Sequence, residues 1–190
     1  MNRVFSIFFS LGLGLLASKS EALNDRRAFF GSDKMYYVKI HGWDGSRLGS
    51  GDLRNFVEND GAFLSIYRTD PKSGLHCPDA ISHPGNRVYE TRGFKMRMSG
   101  NMTFGTPKAS YKLSIQKNPF VGMSTLNLKS MWNDVSQMRE AIAWKLFSKL
   151  DIPSPLHTYA KLCINNKYYG LYSVIENIDP TCKTIDITHD

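Results

Sequence analysis

Positive charge gathers between residues 87 and 117: Arg87, Arg92, Lys95, Arg97, Lys108, Lys112 and Lys117 stand against Glu90 alone. In the middle of this stretch runs Gly100-Asn101-Met102-Thr103-Phe104-Gly105-Thr106-Pro107-Lys108. Glycines let backbone N–H groups approach a ligand closely, and such groups bind anions. A strand, a glycine loop and a second strand bearing a lysine is also how kinase-type sites hold ATP phosphates. The plain alternative is a hairpin turn flanked by solvated lysines. Asn101-Met102-Thr103 is in addition a glycosylation sequon, and a glycan there would obstruct a nucleotide.

A second unusual pair lies in the expected helix, about Val135 to Leu150. Asp134 and Gln137 have the spacing of a capping box before it, and Pro153 and Pro155 follow it. At about 100° per residue, Ile142, Leu146, Leu150, Ala143, Phe147 and Trp144 form a broad apolar arc. Arg139 falls between Leu146 and Leu150, and Glu140 between Phe147 and Trp144. Both charges are therefore expected to point toward the body of the protein. Neighbours on a helix do not face each other, so each needs a partner elsewhere. Structural ion pairs would serve as well as a binding role.

Other chemistries find little support. His41, His76, His83, His157 and His189 show no ligand spacing, and no GxSxG, HExxH or GxxxxGK[ST] occurs. Cys77, Cys163 and Cys182 are an odd set without a zinc-type pair. Cys163 falls in an expected core strand and reads as simply buried, which leaves Cys77–Cys182 as the pairing to test.

The elements that must position these residues are mostly strands. Phe94 to Met98 and Tyr111 to Ile115 alternate strictly, placing Lys95, Arg97 and Lys112 on polar faces. Further strands are expected at 35–40, 62–67 and 124–128, and at 159–164 and 168–175 joined through Asn165-Asn166-Lys167 as a hairpin. Several antiparallel strands, one long helix and a hairpin make an α+β layout. At 190 residues, 42% hydrophobic and 22% charged, the chain has ordinary globular composition. Arg3, the apolar run Val4 to Ala17 and Ser20-Glu21-Ala22 read as a secretory signal peptide, residues 1–22. Removing it lowers the net charge of +7 by one. A secreted basic domain suits a protein or polyanion partner rather than nucleic acid, and no membrane span is expected after cleavage.

From Val88 to Asp179 the sequence resembles the CotH kinase-like family, the spore coat protein H family. Arg97-Met98-Ser99-Gly100-Asn101-Met102-Thr103 is similar to the family's R-x-R/S-G-N-S-T, and Pro107-Lys108-Ala109-Ser110-Tyr111-Lys112-Leu113 to its P-K-K-S-Y-R/K-I. Leu126-Asn127-Leu128 and Met138-Arg139-Glu140 resemble its L-N-L and M-R-E. Tyr159-Ala160 and Asn166-Lys167-Tyr168-Tyr169-Gly170-Leu171-Tyr172, ending in Glu176, resemble its Y-A and N-G-x-Y-Y-G-L-Y. The chain then divides into the signal peptide, leader strands and irregular loops at 23–87, and a CotH-like N-terminal lobe at 88–190. The resemblance implies an atypical protein-kinase-like fold and phosphorylation of secreted or surface proteins with ATP and a divalent metal such as Mg. It makes Gly100 and Asn101 part of the nucleotide loop and Lys112 the phosphate-contacting lysine, with Lys108 as its competitor. Arg139 or Glu140 becomes the helix partner, and Glu176 to Asp179 the hinge beside adenine.

There are departures. Met102 stands where the family has Ser, and Ser114 where a Lys is frequent. The family's catalytic and metal-binding acids belong to a C-terminal lobe that this sequence does not reach. No catalytic or metal-ligating residue is therefore named, and this form is expected to be inactive alone. The alternatives are a non-catalytic binding or adhesion protein of a spore coat or cell surface, or a secreted polyanion-binding module.

Overall fold

Alternation of apolar and polar side chains builds the local structure. The computed structural model describes residues 25–32, 34–44, 56–58, 61–69, 77, 87–100 and 106–177. These form strands β1 (Met35–His41), β2 (Val57–Glu58), β3 (Phe63–Thr69), β4 (Arg87–Thr91), β5 (Phe94–Ser99), β6 (Ser110–Ile115), β7 (Thr125–Lys129), β8 (His157–Ile164) and β9 (Lys167–Glu176). Helix α1 spans 25–30, and α2 is Arg139–Lys149. The signal peptide, Asn101, Cys182 and Asp179 lie outside the described residues.

All nine strands join one sheet in the order β2-β5-β6-β7-β9-β8-β1-β3-β4. Neighbours are antiparallel except β1 and β8, which run parallel with Val38 opposite Leu162. The order forces the sheet to curl. Laid flat, β4 and β5 would be about 34 Å apart at a strand spacing of about 4.8 Å. The chain crosses from Thr91 to Phe94 through Arg92 and Gly93 alone, a reach of about 11 Å. The seam is sewn beside the β6–β7 connection. Tyr89 Oη donates to the Asn118 carbonyl (2.6 Å), Thr91 Oγ1 to the Lys117 carbonyl (3.4 Å) and the Gln116 N–H to the Gly93 carbonyl (2.7 Å).

The inner face of the curled sheet is the core. Phe94 and Met96, Leu113, Leu126 and Leu128, Leu162, Tyr172 and Val174, Val38 and Ile40, and Leu64 and Ile66 are all buried in it. The polar residues between them (Lys95, Arg97, Lys112, Asn127, Lys129) are half-buried on the outer face. Residues 23–34, which look polar and flexible in sequence, instead supply α1. Its Phe29 ring sits 4.4 Å from Tyr36 and 4.9 Å from Phe120.

The α+β expectation with one long helix is thus corrected: the fold is predominantly β. The helix is shorter than 135–150 because Gln137 adopts φ +54°, a conformation that a right-handed helix excludes. The expected Asp134–Gln137 capping box does not form, since Met138 is the N-cap and has no side-chain cap bond; the Asp134 carboxylate instead accepts from the Arg139 N–H at 2.9 Å. No residue of α2 is fully buried. The curled sheet fills its own interior, so the helix packs only its Glu140, Ala141, Ala143, Trp144 and Phe147 side partway inward. The other half of the expected apolar arc faces out. Met138, Ile142, Leu146 and Leu150 are each more than half exposed.

Two local features of the β8–β9 hairpin follow from residue type. Asn165 and Asn166 both take positive φ (49° and 64°), as a tight two-residue turn requires and as Asn tolerates. Gly170 (φ +108°) sits where the register shifts beside Leu162. Lys108 passes at ordinary contact distance, its Cε 3.4 Å from where a Cβ would lie, so the positive φ rather than lack of space calls for glycine here.

The disulfide also differs from expectation. Cys163 is no free buried thiol, and the bond is Cys77–Cys163 across a separation of 86 residues. The strand alternation puts Cys163 on the outer face, where Tyr37, Tyr67 and Tyr168 pack around the bridge.

Two stability outcomes are expected. Leu128→Ala should cost about 2–5 kcal/mol, whereas Leu146→Ser should stay within about 0.5 kcal/mol, as read by urea unfolding. Reducing the disulfide, or Cys77→Ser, should lower stability by about 2–5 kcal/mol, seen as a lower thermal midpoint in reductant.

Candidate functional site

The outer face of β5, β6 and β7 gathers the cations picked out by sequence. The register places Arg97 opposite Lys112, Lys112 opposite Asn127, Asn127 opposite Ile175 and Ile175 opposite His157. Lys95 and Lys129 lie two residues along from this row on the same face. Like charges directly opposite each other in a sheet are unfavourable, so the Arg97–Lys112 pair carries a cost that an anion would offset.

Lys112 is held in place. Its Nζ donates to Asn177 Oδ1 at 3.0 Å, and the Asn127 amide donates to the same oxygen at 3.4 Å. Asn177 follows β9 directly, so the end of this strand sets the position of the lysine head. The Arg97 guanidinium lies 5.1 Å from the Phe56 ring centroid, a favourable cation–π distance.

Lys108 has a different fate. Its Nζ donates to the Leu171 carbonyl at 2.5 Å and lies 4.7 Å from the Tyr172 ring centroid. Half-buried, it is pushed below the usual lysine range by loss of solvent. It joins the β5–β6 connection to β9, and the sheet face holds Lys112 rather than Lys108.

The two helix charges separate. Arg139 points outward, its side chain 82% exposed with Nε 3.6 Å from Asp134 Oδ1. The expected inward direction is corrected for Arg139, because the sheet takes the Trp144–Phe147 half of the arc and Arg139 lies on the other half. Glu140 does turn inward. Burial raises its carboxyl above the usual range, and the Lys129 charge opposes that rise. Helix and sheet are fixed to each other by Tyr159 Oη, which donates to the Gln137 carbonyl.

A cavity of about 350 Å³ lies at this junction, lined by Gly100, Ser110, Lys129, Trp132, Arg139 and Glu140 among others. Three residues expected at the site, Gly100, Arg139 and Glu140, thus meet around one cavity. Lys112 stands two residues beyond Ser110 on the same face. Glu176 is elsewhere: its carboxylate takes Arg26 Nη1 at 2.5 Å and the Leu156 N–H at 3.4 Å. Strand alternation turns it away from Asn177 and Lys112.

Sequence reading passed over Lys129, Asn127 and Asn177. The first two were within reach of the alternation Leu126-Asn127-Leu128-Lys129, which puts both on the polar face. Asn177 gave no signal, since only pairing of β9 with β7 brings it to Lys112.

Residues 96–187 match the family described as CotH kinase protein, a match that supports placing this region in the CotH family. Over 76 residues it is 37% identical to the inner spore coat protein H-like protein of Bacillus subtilis (strain 168), a match covering 40% of this chain and 24% of that protein. The chain therefore spans about a quarter of that relative's length.

Glu140 provides a check on the site. A carboxylate whose folded pKa is raised is penalised once pH exceeds the unfolded value near 4.3. Glu140→Gln should be at least as stable as the parent at pH 7, and that advantage should vanish near pH 4, as measured by urea midpoints. A clear loss of stability at pH 7 would make Glu140 a structural anchor instead.

Proposed function

We propose that the outer face of β5–β7 holds the phosphates of a nucleotide, as one part of a CotH-type phosphotransferase acting on spore-coat or cell-surface proteins. The observation that carries this reading is the Arg97–Lys112 pair, two cations set directly opposite each other on a half-buried face. Lys112 is the principal phosphate donor, oriented by Asn177 and Asn127. Arg97 and Lys129 add charge at the edges of the row. Glu140 sits at the helix and balances Lys129, the role that a helix glutamate plays toward a lysine in kinase sites. Gly100 lines the adjoining cavity.

The donor set fits ATP, whose phosphates take charge-assisted N–H bonds from lysine and arginine. Bound ATP would supply the transferable phosphoryl group. The fit to a metal is different. Among the described residues no group of three or more His, Cys, Asp or Glu side chains gathers as an ion would require, so no step is derived through Mg. The printed name of the Bacillus relative supports a spore-coat or cell-surface setting. The Cys77–Cys163 bond suits an oxidising compartment, which supports secretion. A basic face of this kind also suits an acidic polymer, the second reading.

Calorimetric titration with Mg-ATP separates the two. Saturable binding is expected, weakened about tenfold by Lys112→Ala through loss of one charge-assisted bond. Unchanged affinity in Lys112→Ala would remove its phosphate role. Retention on heparin that disappears at moderate salt, with no ATP binding, would favour the polymer.

A further inference from the structure

A second cleft, of about 520 Å³, opens on the other side of α2 and shares no lining residue with the first. Its volume lies within the range of small-molecule sites, roughly 300–1,000 Å³. Phe30 from α1, Trp144 from α2 and Leu156 ahead of β8 give it apolar and aromatic walls, while Arg27 and Lys145 bring two positive charges to it. No acidic side chain lines it. His157 also lines the cleft, its ring edge-on to Tyr159. The His157 Nε2 is buried and meets no hydrogen-bond partner among the described residues.

An unpaired buried polar atom is costly, and two cations beside an aromatic wall raise the local potential further. An aromatic carboxylate suits the two cations and the aromatic wall together. A flat ring would lie against Trp144 and Phe30, and a carboxylate on it would take charge-assisted bonds from Lys145 and Arg27. The same anion would favour protonation of the imidazole, which burial in the free protein holds in its neutral form below the ordinary histidine range.

We propose that this cleft is a binding site for a small aromatic carboxylate, separate from the phosphate-holding face. Lys145 and Arg27 select the charge, and Trp144 and Phe30 select the ring. This site is independent of nucleotide binding, because the two sites use different cations.

The test is calorimetric titration of the intact protein with 2-naphthoate and with its neutral counterpart 2-naphthamide. Saturable naphthoate binding is expected, with the amide about tenfold weaker. Lys145→Ala and Arg27→Ala should each weaken naphthoate by a similar factor while leaving near-ultraviolet dichroism unchanged. The His157 ring signals should shift on binding, a change that loose adsorption would not give. Lys112→Ala should bind naphthoate as the parent does, which separates this site from the phosphate face. Leu146→Ser should do so too, which excludes adsorption to the exposed side of α2. Equal affinity for acid and amide, full affinity in both cation variants, or no saturable heat at millimolar naphthoate would each overturn the proposal.

Discussion

The two-residue passage from β4 to β5 is the constraint on which the rest depends. Because Arg92 and Gly93 must span what a flat sheet would make about 34 Å, the nine strands have to curl until the β4 edge comes round to β5. Curling gives the sheet an inside and an outside. Every second residue then faces a closed apolar interior, and the intervening ones are left on a curved outer surface. Tyr89, Thr91 and Gly93 hold the seam through bonds to the β6–β7 connection. The position of Lys112 beside Arg97 is a consequence of this closure, since β5 and β6 can place their polar residues nowhere but outside.

A sheet that fills its own interior needs little from a helix, which explains the behaviour of α2. It touches the outer face with Trp144, Phe147 and Glu140 and leaves an apolar ridge in solvent. Seven of the nine large hydrophobic side chains that are exposed among the described residues lie between Trp132 and Ile152. Such concentration is uncommon on a surface that meets water alone. The helix instead divides the outer face into two recesses. One has Glu140 and Lys129 at its wall, and the other has Lys145, Arg27 and the unpartnered His157 nitrogen. Burying a carboxylate and an imidazole halfway is unfavourable for folding, so these groups mark places where the structure retains polarity at a cost.

The second organising element is the hold on the chain ends of the sheet. Arg26 of α1 reaches Glu176 at the end of β9 and also donates to the carbonyl of Gly122 at 3.1 Å. The disulfide ties Cys77 to the outer side of β8. Both contacts bring residues before β5 against strands of the CotH-matching region. Tyr172, through its bond to the Ala109 carbonyl at 3.0 Å and its ring beneath Lys108, fixes the glycine-loop end of β6 to β9. Lys108, Gly170 and Tyr172 thus form one local contact, the lysine passing over the glycine and resting on the aromatic ring.

How much was legible varies with the range of the interaction. Strict alternation located β5 and β6, and two strand-like runs joined through Asn165-Asn166-Lys167 located the β8–β9 hairpin and its turn, because those signals are carried by adjacent residues. It also put Lys112 and Arg97 on polar faces, and the ordered motifs between Arg97 and Glu176 pointed to the CotH family. What tertiary structure decided was choice among partners. Cys163 had one outward direction on β8, but only packing made its partner Cys77 rather than Cys182. The wheel placed Arg139 and Glu140 in one apolar arc, but only the limited demand of a closed sheet left Arg139 in solvent and Glu140 beside Lys129. Asn177 was silent until β9 paired with β7. Local periodicity is written into consecutive side chains, whereas which halves of a helix, which cysteines and which lysine head meet is set by a closure that spans the whole sheet.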